Sequence, residues 1–142
     1  MVPFNGPHKF EVKEIGSHHL EVQLPYRKKN LNHLKGIHAC AMATLAEVSS
    51  GFLLVSILDP KKYRLILQKL EMEYHYQAKT SVSARFELEP SFLENEIIAP
   101  LKKEGKIVLP ATIKIFDTEK NHVATGIAHW QIKTWANVKT KI

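Results

Sequence analysis

The sequence predicts an α+β fold in which an antiparallel β-sheet wraps around one long central helix. Apolar side chains alternate with polar ones on both sides of a central stretch, whereas the stretch itself has a helical period and ends at Asp59-Pro60. Ala and Ser fill much of that stretch, so other backbone can approach the helix along most of its length. These observations favour a helix enclosed by a sheet.

Two short strands are expected before the helix and four after it. Residues 9–15 and 20–24 alternate polar and apolar side chains, with a turn at Gly16-Ser17 between them. The same alternation predicts strands at 65–76, 82–88, 107–116 and 123–130, the last two joined by a turn at 117–121. Residues 90–104 are expected to be irregular or to form a short helix. No repeat or linker divides the chain, so residues 1–142 are predicted to form one domain.

The helix has two distinguishable faces in the sequence. The first is apolar and its members are spaced by four, three, four and three residues: Ala41, Leu45, Val48, Phe52 and Val55. The second follows similar steps but is small and polar: Cys40, Thr44, Glu47 and Gly51. Cys40 is expected to be a small buried side chain, and Tyr74 and Tyr76 are expected to pack in the core or at an interface.

Composition excludes several classes of protein. The chain has 20 Lys and Arg against 14 Asp and Glu, a net charge of +6 that indicates an anionic partner without choosing among nucleic acid, a phosphate-bearing cofactor and a membrane surface. A single cysteine excludes a disulfide framework. The first residues lack signal-peptide features, and no uninterrupted apolar run approaches the ~20 residues of a membrane span. We therefore expect a cytoplasmic protein that binds no membrane and, lacking a basic stripe with stacking aromatics, no nucleic acid.

The segment 32–51 carries the candidate chemistry. A glycine-containing loop leads into the helix, whose first turn offers free N–H groups that suit a carbonyl oxygen developing negative charge. Glu47 interrupts an otherwise apolar and small helix, where burial should raise its pKa and fit it to act as a base or nucleophile. Each residue also has a structural alternative: Glu47 as an exposed or loop-bonded acid, His38 bonded to its own loop, and Asn32 as a turn residue. The eight histidines show no metal-ligand spacing, and no metal site is expected.

Helix geometry constrains how such a site could be built. Glu47 lies about 13 Å along the axis from the helix start near His38, because a helix rises ~1.5 Å per residue. One helix cannot place its own first turn and its own Glu47 around one small reacting group. Two antiparallel copies in a two-fold dimer could do so, and a catalytic site here therefore implies at least a homodimer.

The same segment resembles the central-helix signature of the hotdog-fold acyl-CoA thioesterases, particularly those of the phenylacetate-pathway type. That signature reads Asn-x5-His-Gly-Gly followed further along the helix by Leu-Ala-Asp/Glu, and Asn32, His38, Leu45, Ala46 and Glu47 fall on those positions. The segment is also similar to a less characterised hotdog branch with an Asn-x5-His-Ala core and Glu. The strand order matches over nearly the whole chain, which implies the hotdog fold.

The resemblance implies specific roles. Glu47 would activate water or attack the thioester carbonyl, Asn32 would position water or substrate, the Ala39 N–H would polarise the carbonyl, and His38 would shape that turn. The site would be shared across a homodimer, which can pair into a tetramer. No cofactor is implied, since coenzyme A is part of the substrate.

This chain departs from the signature at the two glycines, which are Ala39 and Cys40 here, and Gly36 lies one residue nearer the histidine than usual. We expect the substrate path to be lined by Gly36, Cys40 and Thr44. The flanking basic loops are expected to receive the phosphates of the carrier, through Arg27, Lys28, Lys29, Lys61, Lys62 and Arg64. The sequence thus predicts an acyl-CoA or acyl-carrier thioesterase. The alternative is a noncatalytic hotdog protein that binds an acyl ligand, and hydratase or dehydratase chemistry ranks below both.

Overall fold

A computed structural model describes residues 2–140. The first and last residues of the predicted domain, Met1 and Lys141–Ile142, lie outside the described part. Within the described part, six antiparallel strands form one sheet with the order β1-β2-β4-β5-β6-β3. The strands are β1 (Glu11–Ile15), β2 (His19–Leu24), β3 (Tyr63–Tyr74), β4 (Val82–Glu87), β5 (Lys106–Asp117) and β6 (His122–Thr134). The central helix is α1 (Ala39–Ile57).

A helical connection joins β4 to β5 where the sequence predicted an irregular segment or a short helix. It consists of α2 (Pro90–Phe92), a π-helical turn (Leu93–Ile98) and α3 (Ala99–Glu104). Short 3₁₀ turns lie at Pro3–His8, Lys28–Asn30 and Trp135–Asn137. The predicted strands are confirmed, with β6 extending four residues beyond its expected end because its alternation continues through Ile132.

The sheet encloses α1 as expected, and the helix packs against β2, β3, β4, β5 and β6. Alternate residues of each wrapped strand are buried, as in the β2 series Leu20, Val22 and Leu24. By length and composition alone α1 could cross a membrane, but half of its apolar window is buried inside the fold, as for the core helix of a folded domain.

Two glycines bring α1 into close contact with β6. A Cβ on Gly51 of α1 would lie 2.7 Å from the ring of Trp130, and a Cβ on Gly126 of β6 would lie 2.9 Å from the Cβ of Ala46. The buried Trp130 indole N–H donates to the Ser50 hydroxyl at 2.9 Å. The helix therefore meets the sheet through an indole on one side and small residues on the other.

The apolar helix face predicted from spacing is correct only in its first half. Ala41 and Leu45 are buried, but Phe52 is 53% and Val55 46% exposed. Gly51, assigned to the small polar face, is buried beneath Trp130. The sheet covers a side of the helix next to the predicted face. The buried positions are Ala41, Met42, Leu45, Ala46, Ser49, Ser50, Gly51, Leu53 and Leu54.

We expect Gly51→Val to lower the free energy of unfolding by about 1–3 kcal/mol relative to Ser56→Val, because overpacking against the Trp130 ring must displace it. Ser56 is an exposed position of the same helix, so Ser56→Val carries the same β-branched penalty without the clash. Urea denaturation at one protein concentration measures the difference. Equal stability of the two variants would contradict the close contact described above.

Candidate functional site

The loop before α1 is organised by Asn30, a residue that the sequence did not single out. Its side chain is fully buried, and its amide nitrogen donates to the backbone oxygens of His8 (3.0 Å) and Pro25 (2.9 Å). Its amide oxygen lies 3.1 Å from Nδ1 of His8, and its backbone oxygen accepts the N–H of His38 at 2.8 Å. Asn30 thus joins the N-terminal segment, the end of β2 and the start of α1.

Asn32 shapes the same loop through its side-chain oxygen. That oxygen accepts the N–H groups of Leu34 at 2.9 Å and Gly36 at 3.0 Å, which is an Asx-type turn. Its side-chain nitrogen forms no hydrogen bond within the described residues. Gly36 is buried, and a Cβ there would lie 2.9 Å from the side chain of Gln77. Asn32 therefore has the structural role of a turn residue, and any contact with a substrate or water would use the amide nitrogen.

His38 caps α1. Its Nδ1 accepts the N–H of Cys40 at 3.0 Å, and its backbone oxygen accepts the N–H groups of Ala41 and Met42. Ala39 is exposed, and its N–H meets no acceptor within residues 2–140. Of the four N–H groups in the first turn, this one is left to bind an outside oxygen.

Tyr74, at the end of β3, does not pack in the core, and its expected place at an interface stays a prediction. It is exposed rather than packed in the core, and its hydroxyl donates to the backbone oxygen of Ala39 at 2.8 Å. Partial burial of the Tyr74 hydroxyl, together with the nearby Cys40, raises its pKa, so the hydroxyl remains a donor at neutral pH. Cys40 is also exposed, contrary to expectation, because it lies on the side of the first turn opposite the buried Met42.

The open face of α1 is the side that the chain's own sheet leaves uncovered, and it comprises Cys40, Thr44, Glu47, Phe52 and Val55. Glu47 is half-buried, and burial raises the pKa of its carboxyl. The carboxylate forms no hydrogen bond or ion pair with the described residues. The Thr44 hydroxyl donates back to the Cys40 backbone oxygen at 2.8 Å. The open face is therefore polar towards its start and apolar towards its end.

The two basic segments lie at opposite ends of α1. Arg27, Lys28 and Lys29 precede the helix, and the second group follows it, about 28 Å away for a helix of 19 residues. One chain cannot bring both groups to the same phosphates. The second group consists of Lys61, Lys62 and Arg64.

Two clefts lie on the surface formed by residues 2–140, and Glu47 lines neither of them. One of about 290 Å³ lies where β4 and β5 separate beyond the pair Ala84–Ile115, and Phe86, Leu109 and Ala111 line it. The other, of about 340 Å³, lies on β3, β5 and β6. Among residues 2–140, no group of three or more His, Cys, Asp or Glu side chains is arranged to hold a metal ion.

A family model matches residues 1–133, nearly the whole chain, and its description is "Domain of unknown function (DUF4442)". The chain belongs to the DUF4442 family. No curated protein sequence matches this DUF4442 chain.

Solved structures share the fold of this DUF4442 domain at low sequence identity. A Pseudomonas aeruginosa protein of unknown function, described as "Probable Thioesterase", superposes with a TM-score of 0.85 at 19% identity, covering 92% of this chain and 87% of that one. A variant of the Staphylococcus aureus thioesterase SAV0944 gives 0.72 at 14%, covering 92% and 98%. The Haemophilus influenzae thioesterase HI1161 gives 0.72 at 12%, covering 96% and 87%. These matches confirm the hotdog fold that the signature implied.

We expect Asn30→Asp to lower the free energy of unfolding by about 1–3 kcal/mol, because the two backbone oxygens that now accept from its amide nitrogen would lose their donor. Asn32→Asp is the matched control, since the Asn32 side-chain oxygen only accepts in this loop. Urea denaturation at pH 7 measures both variants. A smaller loss for Asn30→Asp than for Asn32→Asp would contradict the role assigned to Asn30.

Proposed function

We propose that this DUF4442 protein hydrolyses acyl thioesters, with coenzyme A or an acyl carrier as the thiol component, at sites shared by two copies of the chain. The observation that carries the proposal is a pair of unsatisfied groups on α1. Within residues 2–140 the Ala39 N–H has no acceptor and the half-buried Glu47 carboxylate has no partner. The thioesterase names of several structural neighbours support the same reaction class.

The reaction balances with these two groups. The Glu47 carboxylate takes a proton from water, and the hydroxide oxygen bonds to the thioester carbon while the carbonyl oxygen becomes an oxyanion. The Ala39 N–H, at the positive end of the helix dipole, donates to that oxyanion. Collapse of the tetrahedral intermediate breaks the C–S bond, and protonated Glu47 returns its proton to the leaving thiolate. The products are a carboxylic acid and a thiol.

The length of the helix requires a second chain. Ala39 and Glu47 are eight residues apart, about 12 Å along the axis, so one chain cannot hold both against one carbonyl. If the Ala39 of one α1 faces the Glu47 of an antiparallel partner, the two-fold axis passes near Ala43. That residue is small and half-buried, which permits close approach of two helices.

The alternative is a noncatalytic protein that binds an acyl ligand. Ala39 and Cys40, exposed at the first turn of α1, place side chains where the thioesterase signature has two glycines. Saturable binding of acyl-CoA without release of free thiol would establish this alternative.

We expect Glu47→Gln to lower kcat by about 10²–10⁴-fold, the usual contribution of a general base. Thiol release from short, long and aromatic acyl-CoAs measures it, with Glu73→Gln as a control that changes an exposed carboxylate on β3. The kcat/KM of the unaltered protein should rise with pH through the raised Glu47 pKa. Activity equal to the unaltered protein would exclude Glu47 as the base.

The stability of Glu47→Gln separates a catalytic loss from misfolding. The folded-state pKa of Glu47 lies above that of the unfolded chain, so ionising Glu47 costs folding free energy. The variant should therefore be more stable than the unaltered protein at pH 7. The difference should shrink as the pH falls towards 4.5, the ordinary pKa of the group.

Ala39→Pro tests the oxyanion donor and the sharing of the site together. Proline suits the first position of a helix, and the lost N–H has no acceptor within residues 2–140, so the fold should survive. We expect kcat to fall by about 10²–10³-fold. Mixing Glu47→Gln and Ala39→Pro subunits should then restore about a quarter of the activity, because half of the dimers gain one intact shared site. Two inactive variants whose mixture stays inactive would refute sharing between chains.

A further inference from the structure

Three cations lie side by side on the convex face of the sheet, the face away from α1. Lys133 of β6 pairs with Arg64 of β3 on one side and with Lys106 of β5 on the other. Directly paired residues point to the same side of a sheet. Trp130 and Ile132 of β6 are buried on the opposite face, and Trp130 bonds to Ser50 of α1, so this cationic row faces outward.

The cationic row, Arg64, Lys133 and Lys106, has no compensating carboxylate. None of the three forms an ion pair within residues 2–140. The ion pairs in that part of the chain lie elsewhere on the sheet. Like charges placed opposite one another on neighbouring strands repel. Further along the same three strands, the row Lys114–Thr125–Glu73 contains an acid as well as a base. The uncompensated charge is therefore local to one end of the face.

Hydrogen-bond donors at the row are also left without acceptors. Nε of Arg64 is buried and has no partner among the described residues, while its Nη2 donates to Oε1 of Gln131 at 3.1 Å. That bond engages the oxygen of the Gln131 amide and leaves its nitrogen to donate. A cleft of about 340 Å³ opens beside these groups, lined by Gln68, Lys106, Ile107, Val108, Gln131 and Lys133.

We propose that this cleft binds a phosphate-bearing small molecule through its pyrophosphate group. Lys106 and Lys133 line the cleft, and Arg64 pairs with Lys133 on the neighbouring strand. Together their charges match a diphosphate, whereas a single carboxylate would leave most of them uncompensated. Guanidinium and ammonium groups are the side chains that bind phosphate oxygens best. The volume lies at the small end of ligand sites, about 300–1,000 Å³, and fits a diphosphate with part of an attached group.

The proposal is independent of thioester hydrolysis. The cleft lies on the convex face of the sheet, and Glu47 lies on the helix packed against the other face. The sheet separates the two within one chain, so the anion bound here is not the one that would accompany a thioester at the Glu47 of the same chain.

Isothermal titration with inorganic pyrophosphate tests the site at fixed ionic strength, with ADP as a second probe. We expect one saturable site per chain, weakened at least about tenfold by Lys133→Gln or Lys106→Gln, since each removes one charge-assisted hydrogen bond. Lys114→Gln on the convex face of β5 is the control and should change affinity less than about twofold. Equal affinity for the two probes indicates recognition of the phosphates alone, and tighter ADP binding indicates a nucleotide.

Thermal unfolding supplies a second measurement that does not depend on the titration. Pyrophosphate should raise the Tm of the unaltered protein and of Lys114→Gln, but not that of Lys133→Gln. Without the anion, Lys133→Gln should be at least as stable as the unaltered protein, because it removes a like-charge contact. Absence of saturable binding, or equal weakening by all three substitutions, would overturn the proposal.

Discussion

The close contact between α1 and β6 is the constraint on which the rest of the structure depends. Gly51 lets the helix approach the Trp130 ring closely, and Gly126 lets β6 approach Ala46. The indole N–H fixes the distance between helix and strand by donating to the Ser50 hydroxyl. With the helix held this close, five strands can pack against one side of it. One side then remains open, and it carries the half-buried Glu47 and the exposed Ala39 and Cys40 of the first turn.

Most of the fold follows from local pattern. Alternation along β2, β4, β5 and β6 identifies the buried side chains, because each of these strands has one face on the core. Which side of the helix is buried is harder to predict from the sequence. Spacing showed that Phe52 and Val55 share a face with Ala41, but which rows a sheet covers depends on where Trp130 needs room. That contact joins residues about 80 positions apart and leaves no local signal.

Some residues of the candidate site can likewise be identified from the sequence, and others only from the structure. Glu47 stands out because an acid in an apolar helix is unusual, and Asn32 and His38 matched a spacing. Asn30 is as polar and as loop-like as its neighbours, and only its bonds to His8, Pro25 and His38 reveal its importance. Tyr74 and the cationic row are comparable cases, since strand register decides what lies beside them.

The order of strands has a consequence for how the chain is made. Within the described residues β3 pairs only with β6, and 47 residues lie between the end of β3 at Tyr74 and the start of β6 at His122. At about 5–20 residues per second, a ribosome needs on the order of 2–10 s to synthesise that interval. Throughout that interval β3, a strand of twelve residues, has no strand to pair with. The apolar helix α1 also lacks its contact with Trp130, which has not yet been synthesised. The nascent polypeptide is thus most exposed to misassociation late in translation, and the final strand completes the core.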